Sequence, residues 1–300
     1  MGRRDLRAIL VGCIRFTETC LVELLEFGVD VVGVLTLSPE RGGFHADYAD
    51  LGPLCDRHGI SIRRVENIND PEVVAGIQLS NADVCLVLGW SQLIGDQILA
   101  AIPCVGSHPA LLPQNRGRHP LIWARVLGLE ETGLTFFRLG AGADDGPILC
   151  QDRFSIDDRD DASTLYAKME DSARKILPDL VEKLIAKDPG QEQDHFRANS
   201  WRKRDKGDGQ IDFRMSSRQI DLLVRALTHP YVGAHVVYGD REVKIWGTRI
   251  GRLPEDFRNY EHGKVVKTTG DEIMVRSGDG SIVLTEHGFA EVPPVGAYLR

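Results

Sequence analysis

Residues 104–123 read CVGSHPALLPQNRGRHPLIW. An apolar run stops at a histidine, and from there Pro109, Pro113, Gly117 and Pro120 interrupt any regular element. The spacing therefore predicts a strand ending near His108 and a rigid, irregular loop behind it. In α/β sheets, strand ends that release such loops are where polar groups are collected into sites.

The flanking sequence supplies the sheet. Upstream, strand-like runs at Leu6–Val11, Val29–Leu35, Ser61–Val65 and Val84–Leu88 alternate with helical patterns at Phe16–Phe27, Ala49–His58 and Pro71–Gln78. That alternation is the signature of a sheet with crossover helices, and the apolar character of Val29–Leu35, interrupted only by Asp30, suits a strand buried on both faces. Gly12-Cys13-Ile14-Arg15-Phe16 lacks the second and third glycines of a dinucleotide fingerprint, so Gly12 reads as a tight strand-to-helix turn. Downstream come a strand at Leu134–Leu139, the loop Gly140-Ala141-Gly142-Ala143-Asp144-Asp145-Gly146, and a strand at Ile148–Gln151.

A long amphipathic helix over Ser163–Lys187 places Leu165, Met169, Ile176, Leu180 and Leu184 on one stripe and stops at Asp188-Pro189-Gly190. The polar stretch 191–206 has the composition of a linker. Beyond it lie one helix, Ser217–Leu227, and short β runs at Ala234–Tyr238, Val243–Ile250, Gly263–Lys267, Glu272–Arg276 and Ser281–Thr285, punctuated by Gly-Asp and Asp-Gly turns, which predicts a small β-barrel or sandwich. The expected division is a domain at 1–190, a linker at 191–206 and a second domain at 207–300.

Composition narrows the function. The net charge of -8 over 300 residues argues against a protein whose main task is gripping a phosphate backbone. No stretch approaches the ~20 apolar residues of a membrane span. The apolar run Ala8–Cys13 is too short for a signal peptide and is followed by Arg15. The six cysteines are scattered without C-x-x-C pairing, which favours buried, reduced thiols in a cytoplasmic protein and no metal site.

His108 and Asp144 can converge from two loops as an acid–base pair, the carboxylate orienting the imidazole. A histidine before proline is also a common turn residue, and spacing leaves both readings open.

The ordered motifs carry a resemblance. His108-Pro109-Ala110-Leu111-Leu112-Pro113 with Arg116-Gly117 resembles the H-x-S-L-L-P-x-x-R-G signature of the folate-dependent formyltransferases. Thr132-Gly133-Leu134-Thr135 and Gly142-Ala143-Asp144-Asp145-Gly146-Pro147-Ile148-Leu149 are similar to their E-T-G-V-T and G-x-D-x-G-D-I-L segments. Asp208–Phe213, Val224–Leu227, Pro230–Ala234 and Lys244–Trp246 resemble the carboxy-terminal domain shared by methionyl-tRNA and sugar N-formyltransferases. The resemblance implies an α/β fold, a Rossmann-like formyltransferase domain followed by a small OB-like β-barrel domain. It implies 10-formyltetrahydrofolate as donor, with the pterin against Leu88, Gly89, Trp90, Ser91, Gln92 and Leu93 and beside Asp144. His108 would then stabilise an oxyanion or relay a proton, and Asp144 would charge-stabilise the imidazole.

The sequence departs from that pattern. The family's Asn two positions before the histidine is Gly106, and Gln92, Asn115, an ordered water or the Gly106 amide are the candidates to replace its hydrogen bond. The second acidic residue of G-D-I-L is Pro147, and the Asp-Glu-Gly lead-in is Gly140-Ala141-Gly142. Arg116 and Arg118 are candidates for binding an acceptor phosphate or are a solvated loop face.

An acceptor tRNA calls for an extended basic surface, whereas the main basic run, Arg197–Lys206, is short and carries Asp205. The expected acceptor is a small-molecule amine, an amino sugar on a nucleotide diphosphate. Methionyl-tRNA formyltransferase is one alternative, and a catalytically weak folate-binding or ligand-binding module is another. The second domain is open to homodimer formation or to a second ligand.

Overall fold

The computed structural model describes residues 5–42, 46–252, 255 and 258–300. The elements begin β1 (Arg7–Val11), α1 (Arg15–Glu26), β2 (Asp30–Thr36), α2 (Pro39–Gly42), α3 (Gly52–His58), β3 (Ile62–Arg64), α4 (Pro71–Leu79), β4 (Val84–Val87), α5 (Asp96–Ala101) and β5 (Cys104–His108). They continue as β6 (Arg116–Gly117), α6 (Pro120–Val126), β7 (Glu131–Arg138), β8 (Ile148–Ser155), α7 (Ala162–Ile185), β9 (Ser200–Trp201) and α8 (Ser217–Leu227). The chain ends in β10 (Ala234–Tyr238), β11 (Arg241–Gly251), β12 (Val265–Thr269), β13 (Glu272–Arg276) and β14 (Ser281–His287). Two compact units result, one of Met1–Pro120, Thr132–Phe154 and Ala167–Arg202, the other of Leu121–Glu131, Ser155–Tyr166 and Lys203–Arg300.

The first unit holds a sheet in the order β3-β2-β1-β4-β5-β7-β8. The pairs from β3 to β5 are parallel, and β7 runs antiparallel to β5. β1 and β4 are central because RAILV and VCLV bury almost every side chain. β2 fully buries only Val31, Val34 and Thr36 despite its apolar sequence, and only the short β3, with exposed Arg63 and Arg64, lies outside it. The chain reverses direction across the sheet between β1 and β4, the place where open α/β sheets open a crevice. There Thr17, fully buried, donates from Oγ1 to the Leu88 carbonyl at 2.6 Å and so seats the start of α1 on the end of β4. A Cβ on Gly12 would stand 2.1 Å from the Leu88 oxygen, so this turn requires glycine. The predicted stripe of α7 (Leu165, Met169, Ile176, Leu180, Leu184) is buried throughout.

Three helices differ from the sequence reading. The short α2 and α5 are not predicted, and α6 begins at Pro120 inside the stretch read as loop, because proline is pre-set for the first turn of a helix. The irregular loop therefore stops at His119.

In the second unit, α8 opens with a capping box. Ser216 Oγ accepts from the Gln219 amide at 3.2 Å, and the Ser216 amide donates to Gln219 Oε1 at 3.1 Å. Its Ile220, Leu223, Val224 and Leu227 share a core with Val236, Ile245, Val275 and Ile282. The antiparallel sheet runs β10-β11-β14-β13-β12, consistent with an OB-like fold.

Candidate active site

β5 ends at His108, whose register partner on β7 is Thr135. Thr135 Oγ1 donates to the Ala110 carbonyl at 2.7 Å, and Gln151 Nε2 on β8 donates both to Thr135 Oγ1 at 2.8 Å and to the Leu112 carbonyl at 3.0 Å. The loop after His108 is thus tied to the sheet by two side chains, and the imidazole is held against a fixed frame.

His108 is buried, 4% exposed, with both ring nitrogens engaged. A carbonyl can only accept, so the 2.7 Å contact between Nε2 and the Asn115 oxygen places the proton on Nε2. Nδ1 faces Asp144 Oδ2 at 3.6 Å. Asp144 comes from the loop between β7 and β8, where its backbone takes a left-handed φ of 54°. Its Oδ2 also accepts from the Gly117 amide at 2.8 Å, while Oδ1 takes no hydrogen bond from the described residues. The Asp144 side chain is 22% exposed against 5% for His108. Of the pair, the carboxylate is the member that reaches solvent.

Position 106 lies on the same strand face as His108. A Cβ there would stand 2.6 Å from Leu139 Cδ2 and 3.4 Å from Phe137 Cζ. The space of the asparagine side chain is therefore filled by Leu139. Of the two side chains offered as replacements, Gln92 is engaged at both amide atoms and Asn115 at its oxygen. Gln92 donates to the Glu66 carbonyl at 2.6 Å and accepts from the Ile68 amide at 2.9 Å. Asn115 Oδ1 accepts from Asn199 Nδ2 at 3.2 Å.

The stretch 88–93 follows β4. Leu88 is buried, Gly89 has φ 74°, Ser91 is exposed and Leu93 is 82% exposed. Trp90 is half-buried, and its Nε1 has no hydrogen-bond partner among the described residues. Arg118 donates from Nη1 to the Ser91 carbonyl at 3.1 Å, which ties the arginine loop to this stretch. Arg116 turns the other way, donating to Gln193 Oε1 at 3.3 Å from Nε and 2.6 Å from Nη2, with His195 Nδ1 3.2 Å from Nη2. The two arginines are therefore not brought together.

Sequence reasoning passed over residues 193–201. Up to Arg202 this stretch, read as linker, belongs to the first unit, where β9 pairs in parallel with β6. A Cβ on Gly117 would stand 2.2 Å from the Trp201 oxygen, so glycine at φ 102° is what lets the two segments meet.

Comparison with known proteins bears on the whole chain. The family model described as Formyl transferase matches residues 17–181, and that of the Formyl transferase C-terminal domain matches 203–297. The chain belongs to the formyl transferase family. Its fold is also that of solved formyltransferases. A sugar 3N-formyl transferase, WlaRD, solved in the presence of dTDP and 5-N-formyl-THF, superposes with a TM-score of 0.66 at 18% identity over 93% of this chain and 97% of its own. Methionyl-tRNA formyltransferase from Clostridium thermocellum gives 0.60 at 19% over 82% and 94%. HypX from Aquifex aeolicus in complex with tetrahydrofolic acid gives 0.65 at 14% over 95% of this chain, which spans 44% of HypX.

In this member of the formyl transferase family the thiols are not part of the His108–Asp144 contact. All six cysteines are free and buried, and burial, helped by Asp47, pushes Cys13 up to about 12. No group of three or more His, Cys, Asp or Glu among the described residues is placed to hold a metal ion.

Proposed function

We propose that the chain is an N-formyltransferase that uses 10-formyltetrahydrofolate to formylate the amine of a nucleotide-linked amino sugar, with His108 and Asp144 as its catalytic pair. The observation that carries this reading is the buried imidazole 3.6 Å from a partly exposed carboxylate at the carboxyl edge of the parallel strands, in a chain of this family.

The 88–93 stretch fits a folate ring. Trp90 Nε1 is a buried donor without a partner among the described residues, and Leu93 offers an uncovered apolar face. Leu88, Gly89, Trp90, Ser91, Gln92 and Leu93, with Asp144, would hold the ring, and Arg118 braces the stretch through the Ser91 carbonyl. When bound, the folate supplies an activated formyl carbonyl.

The chain's own task is the proton of the attacking amine. Asp144, the exposed member, accepts it and passes it to Nδ1 of His108. The imidazolium so formed donates from Nε2 to the Asn115 carbonyl, stands as an ion pair 3.6 Å from Asp144, and would give the proton to the folate nitrogen that leaves. A positioned acid–base group of this kind contributes about 10²–10⁴-fold.

The small acceptor is favoured over tRNA by what the basic run does. Arg204 lies 4.6 Å over the Trp123 ring and donates to the Asp208 carbonyl at 2.6 Å, and Lys206 pairs with Glu242 at 2.6 Å. Arg204 is thus turned into the fold, and the exposed Lys206 is balanced by a carboxylate, which leaves less charge for a phosphate backbone.

Incubation with 10-formyltetrahydrofolate, a panel of nucleotide-linked amino sugars and charged initiator tRNA tests the reading. Formylation of a sugar is expected. Formylation of tRNA alone would overturn the acceptor, and folate binding without turnover would make the chain a binding module.

A further inference from the structure

We propose that Gln193 is the positioning residue of this site, the clamp that holds Asp144 against His108. The inference rests on the reading of that pair as the reacting pair and adds a residue from a stretch whose sequence looked like a linker.

Gln193 is buried at 5% exposure, in a segment whose neighbours Glu192 and Asp194 are exposed. Its side chain uses its full hydrogen-bonding capacity. Nε2 donates to the Asp144 carbonyl at 3.0 Å and to the Gly146 carbonyl at 2.7 Å. Oε1 accepts from Arg116 Nε at 3.3 Å and from Arg116 Nη2 at 2.6 Å. The carbonyls can only accept and the guanidinium can only donate, so the orientation of the amide is settled by its neighbours.

These bonds close a ring. Gln193 grips the backbone of Asp144, the Asp144 carboxylate accepts from the Gly117 amide at 2.8 Å, and the residue before Gly117 is the arginine that returns to Gln193. Three segments distant in sequence meet at one amide. Asp144 needs such support, because its left-handed backbone persists only where its surroundings fix it. Both carbonyls gripped by Nε2 flank the peptides that set where the carboxylate points.

Methionine matches glutamine in length and lacks all four polar interactions, while glutamate keeps acceptors for Arg116 but has no donors for the loop. Gln193→Met and Gln193→Glu should therefore behave alike if the loop contacts are the ones that matter. Both are expected to raise amide hydrogen exchange at Gly117 and across 142–147 by about tenfold, with β1 to β5 unchanged. Both should lower kcat by about 100-fold, the scale of an ångström's misplacement, while the KM for the formyl donor changes little. In an Asp144→Asn background, Gln193→Met should change kcat by less than about threefold, because its effect runs through a carboxylate already disabled. A merely structural role would give the same loss in both backgrounds.

Unchanged exchange at Gly117 and 142–147, or an equal kcat loss with and without Asp144, overturns the proposal. Should the methionine variant fail to fold, Gln193→Glu carries each readout. A wild-type chain that transfers no formyl group would sink the functional reading alone, since the exchange measurement still decides the clamp.

Discussion

Gly106 makes the sharpest quantitative claim, because the structure says what replaced the asparagine side chain. A methyl group at 106 would lie 2.6 Å from Leu139 Cδ2, whereas carbon atoms in good contact stand about 3.5–4.0 Å apart. Leu139 must then retreat by about 1 Å. Overpacking costs about 1–3 kcal/mol in general, and Leu139 is only half-buried and has room to turn, so Gly106→Ala should cost about 1 kcal/mol, at the lower end. With Leu139→Ala in place the remaining close atom is Phe137 Cζ at 3.4 Å, an ordinary contact. The same methyl should then be neutral, or stabilise by about 0.5–1 kcal/mol through the stiffer unfolded chain. Urea unfolding of wild type, the two single variants and the double variant measures the coupling. Costs that add to within about 0.3–0.5 kcal/mol would refute the claim that Leu139 occupies this space. The same cavity permits a test of function. Gly106→Asn with Leu139→Ala restores both the side chain and its room, and an oxyanion donor is worth about 10²–10³ in kcat. A rise of even tenfold would show that the wild-type site works short of a donor; no rise would mean that the chemistry has no use for one at 106.

Four further outcomes are expected. Asp144→Asn should lower kcat by about 10²–10⁴-fold, far beyond any weakening of folate binding, read by single-turnover kinetics and by quenching of tryptophan fluorescence. Arg118→Ala should raise the KM for the formyl donor several-fold with kcat nearly kept, since Arg118 touches Ser91 of the folate stretch and not the reacting pair. Lys206 and Lys244 hold the Glu242 carboxyl at about 2, below its ordinary 4.5; a depressed carboxylate stabilises the fold above 4.5 and loses that contribution as pH falls toward 2, so Glu242→Gln should flatten the acid limb of denaturant stability by about 1 kcal/mol. Burial lifts Cys55 to about 11 and Cys150 to about 12, so alkylation at mildly alkaline pH should spare both until denaturant is added.

Much of the fold was legible because the period of the apolar residues reports burial directly. α8, the α7 stripe and the central strands β1 and β4 follow from that rule. β2 shows its limit. DVVGVLT reads as doubly buried, but burial depends on what lies beyond the neighbouring strand, and β3 is too short to cover it. α6 was hidden for a related reason: the proline that marks an end in a loop is the preferred opening residue of a helix, and Pro120 is the latter.

The approach of His108 to Asp144 was legible because motif and chemistry coincide there, whereas the proposed clamp is one polar residue among many. Residues 191–206 are rich in polar side chains, and nothing in the spacing separates Gln193 from Gln191 or Glu192. Burial separates them, and burial here is a tertiary fact: Gln193 is covered because two loops far away in sequence bring their carbonyls and a guanidinium to it. The same asymmetry explains the departure at Gly106. The sequence displays a missing asparagine, but its physical counterpart is Leu139, a residue no motif marks, whose side chain takes up the space. At this strand face an apolar side chain stands where the family pattern has a polar donor, while the contact between His108 and Asp144 is tied to Asn115, Gly117 and Gln193.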